Sequence, residues 1–217
     1  MPKISRARFL LVLLVLVVGF TTSCVSLLSK QETIVLDAIS GGAVFLAEGN
    51  YREAGNIYLA ALDEVPNDPR LLYNLSLAQA QAKDFNLAVV TINTLVRLFP
   101  ENVKYLRAKA AILQAAGSSR DACIVWEQVL RLDPYDQLVR LLLAREYFIN
   151  LEFQQSKKHA LELYGKGQYS RDLYLLLGQL QQAMGEGDGS SWKLLADAYF
   201  PLTSSENEKG ADTGTLL

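Results

Sequence analysis

Like residues recur along this chain at a fixed interval of 34. Pro66, Pro100 and Pro134 are spaced by 34 residues, and so are Gly49, Lys83 and Gly117. Ala54, Ala88 and Ala122 share the period, as do Tyr58, Ile92 and Trp126, and Gly42, Ser76 and Ala110. A period of this size constrains the fold more than any local propensity, because each unit must be one supersecondary piece that buries its apolar side by stacking on its neighbours. The units run over 35–68, 69–102, 103–136 and 137–170, with a partial one over 171–200. Each carries two apolar-striped helices of about 14 residues. The small residue at Gly42, Ser76, Ala110 and Ala144 lets the paired helix come close, and bulky Tyr58, Ile92 and Trp126 fill the space between neighbours. Proline after the second helix forbids its continuation and sets the turn.

At these residues the sequence resembles the tetratricopeptide repeat (TPR) family. Leu72-Tyr73-Asn74-Leu75-Ser76 and Gly49-Asn50-Tyr51-Arg52-Glu53-Ala54 come nearest to its consensus. The resemblance implies an all-α fold, a right-handed superhelical solenoid of antiparallel helix pairs, with four repeats and a C-terminal capping helix pair. Two departures are Gly41, where a large apolar residue is usual, and Gln168, where the fourth unit lacks its proline. The degenerate end is expected to present a wet outer face as a cap. Residues 201–217, rich in Ser, Thr, Glu, Asp and Gly, read as a disordered tail.

The N-terminus has a different character. Lys3, Arg6 and Arg8 precede twelve residues, Phe9 to Phe20, without a charge. A membrane-spanning helix needs about 20 apolar residues, so this run suits an export signal over 1–23 better than a permanent span. Thr21-Thr22-Ser23-Cys24 resembles a relaxed lipobox of bacterial lipoproteins, which implies cleavage before Cys24 and acylation of its thiol. Palmitate and diacylglycerol chains there would hold the protein on a membrane, with residues 24–34 as linker. An ordinary cleaved signal and an uncleaved anchor are the other readings. Val25 after the cysteine favours outer-membrane sorting over retention in the cell membrane, with the domain facing the periplasm. Cys123 is then the one remaining thiol and reads as a small apolar core residue.

Charge excludes one class of partner. The chain carries a formal net charge of −2, and loss of the three N-terminal cations leaves −5, so there is no bulk basic field for nucleic acid. The repeat family's usual groove positions would make the middle of a concave surface basic and aromatic. Arg70, Tyr73, Lys104, Arg107, Arg145 and Phe148 are the partner-binding candidates there, the cations meeting carboxylates and the rings giving apolar contact. The plain alternative is that these long cations only solvate a helix face. Leu36, Ile39 and Leu46 at one end would be covered by residues 25–33, and Leu138, Leu141 and Phe148 at the other by the C-terminal helices. A dicarboxylate clamp of the kind some relatives use is disfavoured by Ile39, Ala43 and Ala108.

Catalytic, cofactor and metal signals are absent from the pattern. The lone His159 has no partner at ligand spacing, and no nucleophile elbow or HExxH occurs. Gly185-Glu186-Gly187-Asp188-Gly189 lacks the Lys-Ser/Thr ending of a phosphate loop and reads as an interhelix turn. Asn74-Leu75-Ser76 matches a glycosylation sequon but sits inside a helix. The reading is therefore a non-enzymatic, membrane-anchored interaction scaffold or assembly factor of the envelope, as the resemblance implies for relatives of this design. The alternative is an accessory partner of a solute-binding protein or transporter, with an apolar ligand cavity.

Overall fold

The computed structural model describes residues 30–201. The export segment, Cys24 and the tail beyond Pro201 lie outside the described residues. Among those described, every regular element is a helix: α1 (30–47), α2 (Tyr51–Glu64), α3 (Pro69–Gln81), α4 (Phe85–Leu98), α5 (Val103–Ala115), α6 (Ser119–Leu132), α7 (Gln137–Ile149), α8 (Phe153–Gly165), α9 (Arg171–Ala183) and α10 (Ser190–Tyr199). None of these helices is long and apolar enough to cross a membrane. The chain divides after Phe99 into two compact units, α1–α4 and α5–α10.

The 34-residue period reappears in the ends of the helices. Asp68, Asn102, Asp136 and Ser170 each cap a first helix, their side chains accepting N–H bonds of its opening turn. That satisfies donors which the helix itself leaves unpaired. The second helices start at Asn50, Asp84, Ser118 and Glu152 without such a bond. Their entry is set by the residue before, which is left-handed in every case: Gly49 (φ 77°), Lys83 (63°), Gly117 (77°) and Leu151 (63°). The repeat thus demands a left-handed turn residue that only two of these four sequences supply without strain.

In the first unit, Val35 and Ala38 of α1, Ala54, Tyr58 and Ala61 of α2, and Leu71 and Leu75 of α3 form one buried cluster. Gly42 allows it: a methyl group there would fall within the Tyr58 ring. In the second unit α7, α8 and α9 share a cluster of Ala144, Ala160, Leu163, Leu173, Leu177 and Leu180. Ile92 and Trp126 are buried like Tyr58, which places all three in the core as the column implied. Residues 30–34, expected to close a linker, are instead helical, because Ile34 packs on the first cluster and Glu32 is held by Arg70. The Gly-rich stretch is the turn between α9 and α10, where the backbones of Gly178 and Gly189 approach too closely for a side chain on Gly189.

Candidate functional site

Arg70 and Tyr73 lie one turn apart on α3. Asp68 caps that helix with the same carboxylate that takes the Arg70 side chain, Nη2 to Oδ2 at 2.9 Å. Across from it, Nη1 and Nη2 of Arg70 donate to the two Glu32 oxygens of α1 at 2.6 and 2.8 Å. This is the fork geometry in which guanidinium and carboxylate bond best. The bonds from Arg70 hold the Glu32 carboxyl below its usual range. An acidic ligand reaching Arg70 must therefore displace Glu32. Asn74 gives its amide to the Arg70 carbonyl and Ser76 is fully buried, so the sequon belongs to the helix interior.

In the second unit the candidates differ among themselves. Arg107 of α5 forms an ion pair with Asp136, the buried cap of α7, and so ties one helix to the start of another. Arg145 faces Asp172 at a loose 3.7 Å, both side chains more than half exposed. Lys104 is exposed on the first turn of α5. Phe148 is half-buried, 5.5 Å from the Phe153 ring, and with Leu141 it packs on the cluster that α9 completes. Cover by the C-terminal helices thus holds for Leu141 and Phe148, whereas Leu138 and Leu36 stay exposed.

Sequence reasoning missed a polar cluster between α6, α7 and α8. Glu127 Oε1 accepts from the Tyr147 hydroxyl at 3.2 Å and lies 3.2 Å from Nε2 of buried His159, whose ring stacks on Tyr147. Arg140, also buried, reaches Glu162 at 2.6 Å and the Pro134 carbonyl at 2.8 Å. Glu146 accepts from Ser119, and Asn150 donates to Cys123 Sγ at 3.5 Å. The available signal was that Arg140, Glu146 and His159 stand on faces which the repeat buries.

Reactivity is low across this cluster. Burial, with Glu146 and Glu152 nearby, pushes the Cys123 thiol up to about 11, far from a nucleophilic thiolate at neutral pH. Burial also lowers the His159 pKa, against the opposing pull of Glu127. Among the described residues no group of His, Cys, Asp and Glu could hold a metal ion. An open recess of about 460 Å³ lies beside Leu151, Phe153 and Met184.

With this geometry in place, residues 45–112 match the model of a family described as tetratricopeptide repeat. Residues 45–112 carry the tetratricopeptide repeat pattern. A search of curated protein sequences gives no match. Among solved structures, a tetratricopeptide repeat protein from Parabacteroides merdae has a TM-score of 0.71 at 17% identity, covering 83% of this chain and 72% of its own. MamA from Desulfovibrio magneticus has a TM-score of 0.64 at 19% identity, over 84% of this chain and 98% of its own. A thermophilic TPR protein of Thermus thermophilus gives 0.54 at 20% identity, over 82% and 97%. At such identities the likeness establishes the all-α array of helix pairs and leaves activity to be argued from the residues.

Proposed function

We propose that this TPR chain is a membrane-anchored scaffold that binds protein partners at a bacterial cell envelope, through the first-helix faces of its repeats. The observation that carries this reading is that α3, α5 and α7 present half-exposed or exposed cations, Arg70, Lys104, Arg107 and Arg145, beside faces that pack into the core. Arg70 and Arg107 are already paired with Glu32, Asp68 and Asp136, so an incoming carboxylate has to compete with those partners there. Lys104 and Arg145 are the pair to alter, because reversing Arg107 would strand the buried Asp136.

Lys104→Glu with Arg145→Glu should weaken partner capture about tenfold or more while helicity and melting stay as in the parent. Undiminished capture would place binding elsewhere. The anchor is a separate part of the proposal and rests on the Thr21-Thr22-Ser23-Cys24 sequence after its charge-free run. In the parent, a fatty-acid probe should label the protein and the chain should fractionate with membranes. Cys24→Ala should abolish the label and leave the chain unprocessed or soluble. Equal labelling of both would remove lipidation from the account.

A further inference from the structure

Five aromatic rings from α8, α9, α10 and the segments beside them meet in the second unit. Tyr174 of α9 is buried among its neighbours: Tyr169 stacks on it at 6.0 Å and 12°, Trp192 at 5.8 Å and 28°, and Phe200 lies 5.9 Å away. Tyr164, in the last turn of α8, meets Trp192 at 5.4 Å and Tyr174 at 6.3 Å. Tyr169, in the turn before α9, is 5.3 Å from Tyr164 and tilted to it by 58°. These are ordinary packing distances between rings, and packing accounts for buried Tyr174. Tyr164 and Tyr169 differ from it, since they keep 36% and 51% of their surface in solvent. They are two phenols in contact with each other and both within reach of solution.

Two phenols so placed favour one reaction. A tyrosine that loses an electron and its hydroxyl proton becomes a phenoxyl radical, whose unpaired electron is shared with the ring carbons beside the oxygen. Two such radicals join carbon to carbon, and contact within one chain replaces the rare encounter of two separate radicals. Tyr174 touches both exposed rings and Trp192 touches Tyr164, so an electron lost from either inner ring is made good by an outer phenol, whose proton water can take. The turn between the two phenols carries Gly165 and Gly167, each with open space where a side chain would stand, so the segment can adjust without displacing a neighbour. Cys123, the free thiol among the described residues, is buried and does not compete for the oxidant.

We propose that Tyr164 and Tyr169 form an oxidative cross-linking site, which hydrogen peroxide and a haem peroxidase convert to a dityrosine within one chain. Each phenol gives up one electron and its hydroxyl proton, and a bond forms between one Cε carbon of each ring. The hydrogen on each joined carbon then moves to the phenolic oxygen as the ring becomes aromatic again. One peroxide takes up the two electrons and two protons and leaves as two waters. The product ties the last turn of α8 to the residue before Ser170, the cap of α9.

The test treats the full chain in detergent with a haem peroxidase and hydrogen peroxide, isolates the product that runs at single-chain mass, and cuts it after Lys and Arg. Cleavage after Lys158, Lys166, Arg171 and Lys193 separates the rings, with Tyr164 in 159–166, Tyr169 in 167–171 and Tyr174 in 172–193. The expected product is 159–166 joined to 167–171, lighter than their sum by two hydrogen atoms and showing the blue fluorescence of dityrosine. Tyr169→Phe should lower that fluorescence in the single-chain product at least about threefold. Tyr135→Phe, at a phenol 84% exposed, should leave it unchanged. Absence of the joined pair, coupling mainly to 172–193, or coupling mainly between two copies would each overturn the proposal. Fluorescence that follows Tyr135 rather than Tyr169 would overturn it as well, because exposure alone would then select the phenol.

Discussion

Lys83 and Leu151 hold the left-handed turn that Gly49 and Gly117 hold in neighbouring repeats. A side chain in that conformation costs about 1–2 kcal/mol, partly returned by the greater freedom glycine has in the unfolded chain. Lys83→Gly and Leu151→Gly should therefore each raise stability by about 0.5–1 kcal/mol in urea unfolding; a loss in both would show that the turn is not what fixes those residues. Gly42→Ala should act in the opposite direction, because the Tyr58 ring occupies the space. The expected loss is about 1–3 kcal/mol, and Gly42→Ala with Tyr58→Leu should recover part of it. His159 adds a pH dependence. Its folded pKa is lowered, first by burial, so the unfolded chain takes up the proton more readily. Stability is then level above the unfolded pKa of about 6.5 and falls below it, by at most about 1.4 kcal/mol per pH unit. His159→Gln should flatten the difference in urea midpoint between pH 7.5 and 5.5; an unchanged slope would assign it to other groups.

At the scale of the helix, the caps divide into those that serve only their own helix and those that also bind a cation. Asn102 accepts one N–H of α5, whereas Asp136 caps α7 and also holds Arg107. Asn102→Ala should cost about 1 kcal/mol, and Asp136→Ala about 1 kcal/mol more, limited by the solvent screening of a half-exposed arginine. Equal losses in thermal or urea unfolding would mean that the ion pair adds nothing. The sequence shows these elements well. The columns at Gly42, Ala54, Tyr58 and Pro66 give the helix pairs, their turns and their core, because each is set by neighbours within the repeat. It shows the candidate faces less well. Glu32 and Arg70 are 38 residues apart and meet across two helices, so the carboxylate engaging that arginine has no signature in the period. Arg140, Glu146 and His159 likewise look like ordinary polar residues until their faces are known to be buried.

For the whole molecule, the proposed function divides the repeats between packing and recognition. Among the described residues the helices pair within each repeat, α3 with α4, α5 with α6 and α7 with α8. A tether at Cys24 would confine that surface to the membrane and raise the effective concentration of any partner already present there.

The central claim is that the first-helix faces receive a protein partner. The most direct measurement is site-specific photo-crosslinking of the full chain in cells, with the reactive group at Tyr73 or Lys104 on first helices and at Val90 on the exposed side of α4. The account predicts one discrete protein adduct from Tyr73 or Lys104 that Val90 does not give, and its loss from the Lys104 position when Arg145→Glu is introduced. No adduct from either first-helix position, or the same adducts from all three, would contradict it.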